Sequence, residues 1–226
     1  MSFSFIFDMD GTLFQTNKIL ELSLQDAFDR LRSMDLWKEE TPIQQYREIM
    51  GVPLPEVWET LLPDHSNKVR EITNDHFHKC LIANIKGGSG ELYPNVEKVL
   101  RYLKENNYPI FIASNGLTEY LNTIVDYYQL NNWIVETFSI QNIASQDKAD
   151  LVGEIVKKYD IDQAAVVGDR LSDFRAAKTN GMLSIGCTFD FAKEEELQQA
   201  NLTIDNLSEL IDILPRLREV VQKVSK

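Results

Sequence analysis

Two carboxylates stand two residues apart in Asp8-Met9-Asp10-Gly11-Thr12, directly after the apolar run formed by Phe3, Phe5, Ile6 and Phe7. Side chains two apart on an extended chain point the same way, so Asp8 and Asp10 can enter one site where a strand ends. Like charges this close repel unless a cation sits between them or one carboxyl takes a proton. The structural alternatives are a helix cap for one Asp and a hairpin turn at Asp10-Gly11. A calcium loop is excluded. It needs Gly at its sixth position and Glu at its twelfth, and counting from Asp8 those are Leu13 and Ile19. Two further apolar runs end in polar groups, Ser114-Asn115-Gly116 and Gly168-Asp169-Arg170-Leu171-Ser172-Asp173, and Lys148 opens a helical pattern between them. Singly, these read as a turn, helix caps and a surface lysine. Together they would converge if the runs are neighbouring parallel strands, because ligands in open α/β sheets bind beyond the carboxyl ends of strands.

The elements that must position these groups follow from periodicity. From Gln15 to Lys86 nothing reads as a strand. Leu20, Leu24, Phe28 and Leu31 give a helix within 16–34. Thr41-Pro42-Ile43-Gln44 starts a second that stops at Gly51. A short helical piece between Pro53 and Pro63 and a longer helix over 66–85 complete the segment. Gly87-Gly88-Ser89-Gly90 reads as a hinge. From Asn95 onward helices alternate with apolar strands at 109–113, within 134–140, at 164–167, 183–187 and, more weakly, 202–204, and residues from Leu207 onward read as helix interrupted by Pro215. Alternation of this kind means a parallel sheet covered by helices on both faces, which the first strand must join. The expected fold is therefore α/β, a doubly wound parallel sheet built from residues 1–15 and 87–226, with an all-helical insertion at 16–86.

Composition narrows the function classes. In 226 residues, 43% hydrophobic and 26% charged content is that of a globular protein, and no uncharged apolar span is long enough to cross a bilayer. The N-terminal apolar run is too short for a signal peptide, so a cytoplasmic location is the default expectation. A formal net charge of −12 argues against nucleic-acid or anionic-membrane binding. Cys80 and Cys187 have no C-x-x-C partner and are read as buried packing. His65, His76 and His78 lack metal-ligand spacing and are read as surface residues.

With these motifs in view, the chain resembles the haloacid dehalogenase-like superfamily of phosphohydrolases. FDMDGTLF is similar to its D-x-D-G-T motif, ASNG to its Ser/Thr motif, Lys148 to its lysine, and GDRLSD to its G-D-x-x-x-D motif. The helical insertion between the first two motifs resembles the cap of the phosphoglycolate phosphatase-like branch. One departure is Ala149, where many relatives carry Pro, which leaves Lys157 and Lys158 as alternatives to Lys148.

The resemblance implies that Asp8 attacks the phosphorus of a small phosphate ester and becomes an aspartyl-phosphate. Asp10 then acts as general acid and base, and Mg2+ is held by Asp8, Asp10, Asp169 and Asp173. Gly11, Thr12, Ser114 and Asn115 bind the phosphoryl group, with Lys148 compensating its charge. Arg47, in an R-x-x-x-G-x-P stretch, is a candidate for a distal anionic group of the substrate or a solvated helix residue. A monomer or homodimer is expected. A sugar-phosphate mutase shares these motifs. A phosphoacceptor signalling domain or a catalytically silent binding protein fits less well, because the acidic pair lies on the first strand and the polar set is intact.

Overall fold

The computed structural model describes residues 3–49, 54–190 and 192–215. The chain divides into two compact units, Met1–Gln15 with Leu92–Lys226, and Thr16–Glu91.

The first unit is a six-stranded, all-parallel sheet in the order β3-β2-β1-β4-β5-β6. Its strands are β1 (Phe3–Phe7), β2 (Ile110–Ser114), β3 (Glu136–Ser139), β4 (Gln163–Gly168), β5 (Leu183–Cys187) and β6 (Leu202–Ile204). β1 lies at the centre, with Phe5 opposite Ile110 of β2 on one side and Ala165 of β4 on the other. All five of its side chains are buried, as an apolar run without alternation requires. On one face of the sheet, Ile6, Phe111 and Val166 join a cluster with Leu151, Ile155 and Ala176. The last three come from α7 (Lys148–Tyr159) and α8 (Leu171–Thr179). Phe5, Phe7, Ile110 and Ile112 alternate with that set and are fully buried, as are the inward residues of α5 (Val96–Glu105) and α6 (Thr118–Tyr127). The order of connections reverses between β1 and β4, and β1, β2 and β4 carry the polar groups singled out above at their carboxyl ends.

The second unit is helical throughout its described residues: α1 (Asn17–Ser33), α2 (Ile43–Glu48), α3 (Leu54–Leu61) and α4 (Asn67–Lys86). Trp58 of α3 packs edge-on against Phe77 of α4 and donates its indole N–H to Asn74. Asn84 of α4 donates to both Ser23 and Asp26 of α1.

Several expectations need correction. The Gly87–Gly90 run is not the boundary, which falls after Glu91. Gly88 sits at φ +82°, and the N–H groups of Gly87 and Ser89 donate back to Ala83 and Asn84, so these residues terminate α4 in a helix-ending turn. α2 begins one residue later than its sequence suggests, because the Thr41 hydroxyl accepts from Arg32 at 2.6 Å and caps nothing. α8 begins at Leu171, three residues earlier than expected, and α9 (Glu194–Leu197) has no counterpart in the sequence pattern. His65 donates to the Leu36 carbonyl and is half-buried, as are His76 and His78. The expected stop at Gly51 and the continuation beyond Pro215 fall outside the described residues.

Candidate active site

β1 ends at Phe7, and the Asp8 N–H still bonds the Val167 carbonyl of β4 at 2.8 Å, so the first carboxylate leaves the sheet at a fixed position. The chain then folds into a tight turn in which Leu13 and Phe14 both donate to the Met9 carbonyl. Gly11 adopts φ +77° there, and a Cβ on it would lie 2.6 Å from an Asp169 oxygen. A side chain is excluded at this position on both counts. Beyond the turn, Gln15 donates to the Leu92 carbonyl, which ties the outgoing and returning segments together.

Asp169 follows the last residue of β4, and Asp173 lies in the first turn of α8, where its Oδ2 accepts from the Arg170 N–H at 3.0 Å. A Cβ on Gly168 would lie 2.2 Å from the Asp173 carboxylate, so this carboxylate occupies space that only glycine leaves. Lys148, the first residue of α7, reaches in from the side. Its Nζ donates to Asp8 Oδ1 at 2.6 Å and forms an ion pair with Asp173 Oδ1 at 2.5 Å. Thr12 Oγ1 donates to Asp169 Oδ1 at 3.4 Å. Oxygens of Asp8, Asp169 and Asp173 lie within 4.8 Å of one another, and all three residues are buried.

The electrostatics follow from burial. Removal from water pushes the Asp8 carboxyl up to about 7, with Lys148 opposing the rise and the Asp173 and Asp10 charges adding to it. Asp169 is pushed up to about 8, first by burial and then by Asp8 and Asp173. For Lys148, burial acts to lower the pKa, but the charges of Asp173 and Asp8 outweigh it and hold the ammonium above its ordinary value. Three carboxylates therefore face one ammonium, a set that is complete only with a further positive charge. Clustered hard oxygen donors with no sulfur or imidazole among them suit a cation of the magnesium type.

A family model for the haloacid dehalogenase-like hydrolases matches residues 5–187. The chain belongs to the haloacid dehalogenase-like hydrolases. A phosphoglycolate phosphatase from Psychrobacter arcticus is 24% identical over 92% of this chain and 94% of its own length. The pyrophosphatase PpaX of Listeria monocytogenes is 22% identical over 92% and 94%. A crystal structure of a predicted phosphoglycolate phosphatase from Haemophilus somnus superimposes with a TM-score of 0.80 at 19% identity, covering 94% of this chain and 97% of that one. This hydrolase is thus a phosphatase-type enzyme of the phosphoglycolate phosphatase-like branch, with its helices α1–α4 inserted after β1.

In this hydrolase Asp8, Thr12, Lys148, Asp169 and Asp173 come together in one buried cluster. Ser114 is buried at the end of β2, its hydroxyl accepting the Gly116 N–H at 3.1 Å, while Asn115 is exposed. Asp10 is half-buried and accepts from the Tyr120 hydroxyl at 2.6 Å. Arg47 lies in the helical unit, exposed, with its guanidinium held by both oxygens of Glu21 at 2.5 and 2.8 Å. Of the alternative lysines, Lys158 pairs with Glu136 at the surface, and Lys157 is exposed.

Four further residues shape the site. Tyr120 touches Asp10. Ser139, in register with Ser114, donates to the Gly116 carbonyl at 2.6 Å, and Gln141 accepts the Thr118 N–H. Glu196 of α9 accepts from the Leu171 N–H and the Arg170 guanidinium, bracing the loop that carries Asp169 and Asp173. Only Ser139 has a sequence signal, as a polar residue closing an apolar run. The others act from helices whose patterns do not announce long-range partners.

Proposed function

We propose that this chain hydrolyses a small phosphate monoester or anhydride through an aspartyl-phosphate on Asp8, with magnesium as cofactor. The observation that carries this reading is the buried set of three carboxylates around one lysine at the carboxyl ends of β1 and β4. Asp8 is oriented by Lys148 and by its own backbone bond to β4, which leaves its carboxylate positioned for attack. Asp10 donates a proton to the departing oxygen and later takes one from the attacking water. The Ser114 hydroxyl and the N–H groups around Asn115 and Gly11 are donors for the phosphoryl oxygens, and Lys148 offsets their charge. Thr12 braces Asp169. Magnesium would be held by Asp8, Asp169 and the Asp10 carbonyl, with Asp173 supporting the set and orienting Lys148. It would supply the charge neutralisation that phosphoryl transfer requires. For Arg47 to read a distal anionic group, that group must replace Glu21, and Arg47 stays the candidate for substrate choice on those terms.

The names of the relatives put 2-phosphoglycolate and pyrophosphate at the head of a substrate panel. The test is magnesium-dependent phosphate release across that panel by wild type and Asp8→Asn. Removal of the nucleophile should lower turnover by at least about a thousandfold, with the thermal melt retained. Turnover that survives in Asp8→Asn would refute the assignment. The mutase reading predicts isomerisation of a sugar phosphate without net phosphate release, which chromatography of an incubated sugar phosphate detects and the release assay does not.

A further inference from the structure

We propose that the Tyr120 hydroxyl is the positioning group for Asp10, fixing which of its carboxyl oxygens exchanges the proton with the leaving group; this rests on the reading of the site given above. Tyr120 is the third residue of α6, and only 6% of it is exposed. Its hydroxyl donates to Asp10 Oδ1 at 2.6 Å. The ring reaches that place because residue 116 is glycine: a Cβ there would lie 3.1 Å from a Tyr120 ring carbon and 2.9 Å from Leu121. The phenol therefore spans two loops, lying against the one that carries Ser114 while its oxygen bonds the one that carries Asp10.

The chemistry of the contact assigns the roles of the two oxygens. A phenol at neutral pH is a donor, and Oδ1 can accept from it whether the carboxyl is ionised or is the carbonyl oxygen of the neutral acid. The oxygen that carries and releases the proton is then Oδ2. In the first half-reaction an Asp8–phosphorus bond forms as the ester P–O bond breaks. The electron pair of the broken bond goes to the leaving oxygen, which takes the proton from Asp10 Oδ2. A carboxyl free to rotate about its Cβ–Cγ bond would present the proton only part of the time, and general acid catalysis depends on that presentation.

The contribution should scale with the leaving group's need for a proton. An alkoxide needs one, whereas p-nitrophenolate departs without it. The experiment uses the full chain with magnesium and compares kcat/KM for an alkyl phosphate and for p-nitrophenyl phosphate, since kcat/KM covers the steps only as far as departure of the leaving group. Tyr120→Phe, which keeps the ring, is expected to lower kcat/KM about tenfold to a hundredfold for the alkyl ester and less than about threefold for the aryl ester. In an Asp10→Asn background the same substitution should have no selective effect. The ratio of the two substrates is unaffected by the fraction of protein that folds, so even a poorly folding variant separates the outcomes. Equal losses on both esters, or no loss on either, would reduce Tyr120 to a packing residue. Turnover in Asp8→Asn would instead overturn the underlying reading.

Discussion

Lys148 answers to two buried carboxylates at once, and the stability of the metal-free site depends on it. Removing one member of a buried ionic set leaves uncompensated charge, which costs about 3–5 kcal/mol. Lys148→Ala should therefore lower the urea midpoint in EDTA by a corresponding amount at about pH 9, above the values of about 7 for Asp8 and about 8 for Asp169. The loss should shrink at about pH 5 as those carboxyls take protons; a loss independent of pH would mean that the lysine stem and not its charge matters. Asp8, Asp10 and the Asp169/Asp173 pair are legible in the sequence because spacing and strand ends are local properties. The choice of Lys148 over Lys157 and Lys158 is only partly so: its place before the last motif favours it, while Ala149 after it leaves the other two open. Burial in the fold separates them. The fold also gives Ala149 a reason: its N–H donates to the capping Asp147 carboxylate at 2.8 Å, a bond that proline could not make.

Glycines mark where elements and carboxylates come closest. Gly168 closes β4 under Asp173, and Gly168→Ala must move either the strand end or the carboxylate. Overpacking of this kind costs about 1–3 kcal/mol. Since the carboxylate is the softer of the two, magnesium affinity measured by calorimetry should fall more than stability does; an unchanged affinity would show that the strand end yields instead. The sequence is least informative where one composition serves two purposes. Gly87 to Gly90 suggest a hinge, and the backbone uses them to stop α4. α9 escapes pattern reading because Glu194, Glu195 and Glu196 carry no apolar stripe, although Glu196 holds the start of α8.

For the molecule as a whole, folding and the proposed metal binding would draw on the same groups. Asp8 and Asp169 are raised to about 7 and about 8, above their unfolded value of 3.8. Between these limits the folded state binds more protons than the unfolded state, so the stability of the metal-free protein falls as pH rises through the window. A divalent cation must displace those protons and so binds more tightly as pH rises. The rise in Tm on adding magnesium should accordingly be larger at about pH 8 than at about pH 6, a comparison that thermal melts in magnesium and in EDTA provide. A gain that shrinks toward high pH would contradict it. The overall architecture is readable because alternation of helix and strand specifies a parallel sheet, whereas the order of its strands is not, since pairing between residues 5 and 165 leaves no local trace.

That pairing also shapes how the protein is made. β1 leaves the ribosome before α1–α4, yet both of its neighbours in the sheet are synthesised later, β4 after residue 162. At synthesis rates of about 5–20 residues per second, the phenylalanine-rich segment waits on the order of ten seconds or more for that partner. During that interval the nascent chain carries, without its sheet partners, a stretch that the folded protein buries completely.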